Sequence, residues 1–180
     1  MASIFGHAFA AFALSTSFSK EIATPKFWIL GIICAIIPDA DVIGFRFNIA
    51  YESFWGHRGF SHSLVFALLL GILVTLIFYS HKIRNKTGIL LILYFTLCTA
   101  SHGILDALTS GGKGVAFFSP LDTTRYFFPW RPIKVSPIGA SRFFSMRGVN
   151  VLLSEFIWIA IPAIIYILVA SLLRKKNDKH

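Results

Sequence analysis

The sequence is poor in charged residues and in cysteine. Charged side chains make up 14% of its 180 residues, whereas hydrophobic side chains make up 56%. A soluble domain carries about 25% charged residues, so this shortage excludes a water-covered surface over most of the molecule. The two cysteines, Cys34 and Cys98, lie inside apolar runs. This placement excludes a disulfide framework and a thiolate metal site, and it indicates that both residues serve packing.

Acidic residues are scarcer than basic ones. Eight Asp and Glu stand against 17 Lys and Arg, which gives a formal net charge of +9. In a soluble protein this excess would suggest nucleic acid as a partner, but the sequence contains no RNA-binding motif and no zinc-finger spacing. Anionic lipid head groups attract basic residues at a membrane surface. The expected partner is therefore the lipid bilayer and not nucleic acid, and the oligomeric state is left open.

The sequence contains several long apolar runs. A membrane-spanning helix needs about 20 mostly apolar residues, and five stretches approach this length: 2–18, 27–45, 62–80, 88–108 and 151–173. The first has no basic residues ahead of it, so we expect a retained helix and not a signal peptide. Pro38 predicts a break in the second. The sequence predicts an all-α membrane protein, with about five helices in a single embedded domain over 1–180.

A long segment, 109–150, separates the last two predicted helices. It holds four of the seven prolines and many aromatic residues. We expect an irregular, aromatic and basic loop that lies at the membrane interface or folds over the bundle.

The basic residues also predict an orientation. Residues 81–86 and the tail 174–180 are rich in Lys and Arg, which places both in the cytoplasm. The segment 109–150 then lies outside although it also carries cations. Either those cations serve a ligand or lipid phosphates, which is the interpretation we favour, or the topology is inverted.

Seven ionisable residues fall near one end of the predicted helices. They are His7, Asp39, Asp41, His57, His62, His102 and Asp106. Ionisable groups at membrane depth are costly unless they have a partner or a task. Nitrogen and oxygen donors of this kind suit zinc, with manganese or iron as alternatives. Seven candidates exceed one tetrahedral shell, so the sequence allows two metals or one metal with supporting groups.

Most of these residues also have a purely structural explanation. Asp39 and Asp41 could cap the turn after Pro38. His7 could form a hydrogen bond between helices. His102 and Asp106 are four residues apart on one helical face, so they could form a pair that needs no metal.

Further residues are candidates for catalysis and substrate binding. Asp39 or Asp106 could accept a proton as a general base. Arg58 could bind a phosphate or stabilise an oxyanion, or it could instead reach a lipid phosphate at the interface. Arg131 and Lys134, in the long loop, are candidates for holding a substrate phosphate.

Several motifs resemble those of the YdjM family of small prokaryotic inner-membrane proteins. They are "GHAFAAFAL", "IPDADV", "GHRGFSHS", "SHGILDALTSGG" and a "PWRPI" loop, which together extend over residues 7–137. A more distant similarity to zinc-dependent phospholipase C rests on the order of scattered His and Asp ligands, including His102 and Asp106. The resemblance implies a metal-dependent hydrolase in the inner membrane, with an unsettled substrate.

The expected function is hydrolysis of an ester or phosphoester by metal-activated water, with a lipid or lipid-linked substrate. Two alternatives remain at this point: a non-catalytic protein with a structural metal site, and a proton or divalent-ion transporter. Transport requires charged positions throughout the bundle, and the third and fifth predicted helices show none in their middles. The metal centre is expected on the outer side of the membrane.

Overall fold

The protein is an all-helical bundle. Its structure, a computed structural model, describes residues 1–177, without the side chains of 140, 141 and 175–177. The α-helices are α1 (Ile4–Ser15), α2 (Pro25–Ile36), α3 (Leu64–Tyr79), α4 (Lys86–Ala107), α5 (Ala140–Phe143), α6 (Met146–Glu155) and α7 (Ile161–Asn177). A 3-10 helix, Ile37–Phe47, extends α2, and a π-helical turn, Phe156–Ala160, joins α6 to α7. The predicted all-α membrane fold is confirmed.

Four helical segments are long and apolar enough to cross a membrane. They are Pro25–Phe47, Leu64–Lys82, Lys86–Ala107 and Met146–Arg174. The first helix, α1, has only 12 residues, or about 18 Å, and a hydrocarbon core is about 30 Å thick. It is shorter than the predicted stretch 2–18, and it packs against α2 and α4. Within the predicted basic tail, residues 178–180 lie outside the described residues.

The apolar core lies where α1, α2, α3 and α4 meet. Phe27 stacks on Tyr94 with ring centroids 3.9 Å apart, and both cysteines are buried in the same cluster as free thiols. Gly31 makes room for Tyr94, since a Cβ there would lie 2.1 Å from the Tyr94 hydroxyl. This dry core sets the separation of the helices whose ends carry the ionisable residues.

Two local predictions differ from the structure. The α-helical geometry does end before Pro38, at Ile36, but the chain continues as a 3-10 helix within the same span, because proline offers no N–H for an α-helical hydrogen bond. The last long helix begins at Met146 and not near 151, with the Ser145 side chain as its N-cap. Arg147 and Asn150 near its start are polar, so the hydropathy pattern does not reveal where this helix begins.

The segment after α4 folds back over the end of the bundle. The N–H of Ser110 donates to the Ile133 carbonyl at 2.8 Å, and the N–H of Phe128 donates to the Ala107 carbonyl at 3.2 Å. Val115 and Tyr126 form an isolated antiparallel bridge. These contacts cover the helix ends on which the ionisable residues lie.

The close approach at Gly31 is testable. Gly31→Ala adds a methyl group into the Tyr94 ring, and overpacking of this kind costs about 1–3 kcal/mol, which outweighs the gain of about 1 kcal/mol in helix propensity. We expect a lower unfolding temperature in detergent. The control, Ile29→Ala, changes an exposed position of the same helix. A Gly31→Ala variant as stable as the wild type would contradict this packing.

Candidate metal centre

The ionisable residues meet at one end of the bundle. The helices alternate in direction, so the beginnings of α1 and α3 lie beside the ends of α2 and α4. His7 lies in the first turn of α1, and His62 directly precedes α3. Asp39 and Asp41 lie on the 3-10 extension of α2, while His102 and Asp106 lie in the last two turns of α4. His57 reaches the same end from the connecting loop.

Four of these residues form the tightest group. Asp39, His62, His102 and Asp106 each offer a ligand atom, and those atoms all lie within 4.8 Å of one another. The Nε2 atom of His102 is 3.0 Å from His62 Nε2 and 3.3 Å from Asp39 Oδ1. His62 Nε2 is 3.7 Å from Asp106 Oδ2. This spacing fits nitrogen and oxygen donors around one small cation.

Hydrogen bonds behind the two imidazoles determine which nitrogen faces the group. The Nδ1 atom of His102 is 2.7 Å from the Ala35 carbonyl, which can only accept, so Nδ1 carries the proton. The Nδ1 atom of His62 faces Asp41 Oδ2 at 3.2 Å in the same way. The Nε2 lone pairs of His62 and His102 therefore point at each other and at two carboxylates. These lone pairs and negative charges repel one another, and a cation placed between them removes that repulsion.

A proton competes with a metal ion for the His62 imidazole. Burial lowers the pKa of His62, but the carboxylates of Asp106 and Asp41 outweigh this effect and raise its pKa to about 9. The surroundings of this imidazole thus favour positive charge. Metal binding requires the ligand nitrogens to be unprotonated, so a metal would replace that proton.

The carboxylates are only partly compensated by the protein. Asp39 Oδ1 is buried without a hydrogen bond from the described residues, whereas Asp106 Oδ2 lies 2.9 Å from Arg58 Nε. Arg58 is the one Lys or Arg side chain of the described chain that forms an ion pair with Asp39, Asp41 or Asp106. The Met1 ammonium group also lies 3.8 Å from Asp106 Oδ2, so Asp106 is paired, whereas Asp39 and Asp41 face no Lys or Arg side chain of the described residues. The residues therefore fit a divalent metal with mixed His and Asp ligands.

Asp41 organises the loop that carries the histidines. Its Oδ1 lies 2.6 Å from His57 Nδ1. Its Oδ2 accepts from the Ser61 hydroxyl at 2.7 Å and from the Arg58 N–H at 3.0 Å. Asp41, His57 and His62 form a second group that could hold a metal. In the present geometry both Asp41 oxygens already accept hydrogen bonds, an arrangement typical of a carboxylate that orients a ligating histidine.

The glycines of "GHRG" allow this loop to be tight. A Cβ at Gly56 would lie 2.2 Å from the Ala50 and Tyr51 carbonyl oxygens, and one at Gly59 would lie 2.4 Å from the Phe54 carbonyl oxygen. No other residue fits at either position without a backbone shift. The loop thereby fixes the positions of the residues between the glycines.

Arg58 lies inside the protein and does not reach the membrane surface. It is fully buried, with its Nε 2.9 Å from Asp106 Oδ2. Its other nitrogens donate to the Gly111 carbonyl at 3.0 Å and to Thr109 Oγ1 at 3.1 Å. Every guanidinium nitrogen faces a protein acceptor, so the alternative of an arginine reaching lipid phosphate is wrong.

The remaining predicted residues lie at different distances from the group. His7 is fully buried, stacks on His102 with centroids 3.8 Å apart, and places Nε2 3.5 Å from Asp106 Oδ1. Arg131 is exposed, with its guanidinium 4.5 Å from the Phe127 ring centroid. Lys134 is also exposed. No described hydrogen bond or ion pair joins these last two side chains to the His and Asp group.

Glu155 is an ionisable residue that the sequence reasoning missed. It is 4% exposed and lies ten residues into the span Met146–Arg174. It accepts hydrogen bonds from the N–H of Ser3 and, at 2.5 Å, from the Ser3 hydroxyl. The N–H of Ala2 donates to Asp106 Oδ1 at 2.7 Å, so Glu155 and Asp106 together hold the start of α1. The sequence signal that could have identified Glu155 is its position as a single acidic residue within the apolar run "VLLSEFIWIA".

Comparison with known proteins places the chain in a family. The family model of the YdjM inner membrane protein matches residues 1–177. The chain belongs to the YdjM inner membrane protein family. A relative, the inner membrane protein YbcI of Escherichia coli strain K12, is 36% identical over 165 residues, which cover 92% of this chain and 94% of YbcI. No solved structure matched the chain. This YdjM-family chain is an inner membrane protein with four candidate membrane-spanning helices.

The position of Asp41 behind His62 predicts that its substitution weakens metal binding without abolishing it. If Asp41 orients His62, Asp41→Asn lowers zinc affinity by about 10–100-fold, because the amide supports the His62 Nδ1–H less strongly. Competition with a zinc chelator measures this change. The control is Asp122→Asn, which alters an exposed acid that bonds within its own loop. Wild-type affinity in Asp41→Asn would contradict the orienting role.

The burial of Arg58 predicts a large effect on stability. Removing one partner of a buried ion pair costs about 3–5 kcal/mol, so we expect Arg58→Met to lower the free energy of unfolding by that amount in metal-free protein. The double variant Arg58→Met/Asp106→Asn recovers most of the loss because the Asp106 charge is removed together with its partner. Denaturant titration in detergent gives both values, and strictly additive losses would contradict the pairing.

Proposed function

We propose that this protein is a membrane-embedded, metal-dependent hydrolase that cleaves an ester or phosphoester of a lipid or lipid-linked substrate. One observation carries the proposal: two imidazoles, each with its Nδ1 bonded elsewhere, direct Nε2 toward the carboxylates of Asp106 and Asp39, and Asp39 keeps an oxygen without a hydrogen bond. Two imidazoles and one carboxylate are a ligand set found in zinc sites that activate water.

His62, His102 and Asp106 would hold the metal and leave one tetrahedral position for water, with Asp39 beside that position. Zinc suits these donors best, and manganese and iron are the alternatives. A divalent metal, when bound, supplies Lewis acidity to the scissile group and lowers the pKa of water. Asp41 keeps the His62 ring oriented, and the Ala35 carbonyl does the same for His102.

Asp39 is the better of the two candidate bases. The Asp106 side chain is completely buried and is paired with Arg58. The Asp39 side chain is 13% exposed, so it is the member of the group that water and a substrate can meet. While Asp39 Oδ1 faces the histidines, Oδ2 is left to accept a proton.

We place the metal centre on the outer side of the membrane. The support is the positive-inside rule applied to the basic stretch 81–86. The cations of the segment 109–150 oppose this orientation, but several have partners within the protein. Lys113 pairs with Glu52 at 2.5 Å, and Arg125 donates to the carbonyls of His57 and Tyr51.

A structural metal site is the second candidate. The donors come from four separate segments, and His62, His102 and Asp106 are buried, so a metal would also fasten the helix ends together. A purely structural site keeps all metal positions filled by protein, whereas a catalytic site leaves one for water or substrate.

Metal content tests the proposed site directly. We expect about one equivalent of metal in detergent-purified wild-type protein and its loss in His62→Ala and His102→Ala, because each removes a ligand atom. Elemental analysis by mass spectrometry measures this content. His81→Ala is the matched control, since His81 is exposed and outside the group. Unchanged metal content in both ligand variants would contradict the site.

A hydrolysis screen over phospholipids and lipid phosphates then separates the two functions. We expect cleavage by the wild type and a loss of about 10²–10⁴-fold in Asp39→Asn, the range for removing a general base. If metal is bound but every ester stays intact, the hydrolase proposal fails and the structural role stands.

A further inference from the structure

The metal-ligand group is accessible from one direction. Of its four members, the side chains of His62, His102 and Asp106 are 0% exposed, and that of Asp39 is 13% exposed. Asp39 also lines a hollow of about 420 Å³, whose other walls are Ile33, Ile36, Ile37 and Ala40. Asp39 is therefore the member of the group nearest to the surface, and this hollow adjoins it.

The hollow lies within the membrane-spanning part of the chain. Its isoleucines belong to the end of α2 and the start of the 3-10 extension, inside the span Pro25–Phe47. Ile33 is 46% exposed, and at this depth its surroundings are lipid hydrocarbon. From Ile33 to Asp39 the helix extends about 9 Å, so the hollow follows an apolar helix face and reaches Asp39 at one end.

A second cavity of similar size does not lead to this group. It has a volume of about 460 Å³ and lies between α1 and the last long helix, with Phe9, Phe12 and Phe156 among its lining residues. Its acidic residue is Glu155, whose two oxygens accept from Ser3. None of its lining residues belongs to the metal-ligand group, so the hollow at Asp39 is the better candidate for substrate access.

We propose that the hollow at Asp39 binds the hydrocarbon chain of the substrate, which enters sideways from the bilayer. The substrate is then a lipid whose scissile ester or phosphoester adjoins that chain. The chain lies along Ile33, Ile36 and Ile37, and the polar group meets Asp39. This inference deepens the proposed hydrolase function and rests on it, although chain binding itself requires neither metal nor turnover.

Photo-crosslinking tests chain binding apart from activity. The probe is a phosphatidylglycerol with a diazirine midway along one acyl chain, incorporated into vesicles with the full-length protein. We expect crosslinks, mapped by mass spectrometry, to concentrate at residues 33–40. Ile33→Trp fills the hollow and excludes methylene groups from it, so we expect crosslinking there to fall about tenfold.

Ile29→Trp is the matched control. Ile29 lies one turn earlier on α2 and is 44% exposed, close to the 46% of Ile33, but it does not line the hollow. We expect wild-type crosslinking in this variant. Crosslinks spread evenly over all lipid-facing helices, or unchanged crosslinking in Ile33→Trp, would overturn the inference.

The metal and hydrolysis measurements separate this inference from the proposed function. If crosslinks concentrate at 33–40 while the protein binds no metal, the chain site stands and the hydrolase proposal fails. If metal binding and hydrolysis are present but Ile33→Trp crosslinks like the wild type, the hydrolase stands and this access route is wrong.

Discussion

Buried negative charge at one end of a membrane bundle is the constraint on which the structure depends. Asp39, Asp41 and Asp106 lie 2.6–3.8 Å from imidazole nitrogens, and Arg58 compensates one of their charges. Carboxylates at membrane depth cost several kcal/mol unless they are paired. A divalent cation would compensate the carboxylates that lack a basic partner, so the ion that we propose for the chemistry would also stabilise the arrangement of the helix ends.

The rest of the bundle keeps these groups in place. Below them, Phe27, Tyr94 and the two cysteines form an apolar core that fixes the distance between α2 and α4. Above them, the segment after α4 closes over the helix ends and supplies Thr109 Oγ1 and the Gly111 carbonyl to Arg58. The hollow at Asp39 is the side from which we propose that a membrane-borne substrate approaches.

The sequence predicted the features that depend on local spacing and hydropathy. The four long apolar helices follow from run length, and His102 and Asp106 share a face because they are four residues apart. The sequence did not reveal the features that depend on distant contacts. The burial of Arg58 requires Gly111 and Thr109, and the role of Glu155 requires Ser3 from the other end of the chain. The start of the last long helix at Met146 was missed because polar residues near this start interrupt the apolar run.

X-ray absorption at the zinc edge of the purified, zinc-loaded protein is the most direct test of the metal centre. We expect a shell of nitrogen and oxygen atoms at about 2.0–2.2 Å with the outer-ring scattering of two imidazoles, and no sulfur at about 2.3 Å. A shell without imidazole scattering, or one containing sulfur, would contradict a site built from His62, His102 and the neighbouring carboxylates.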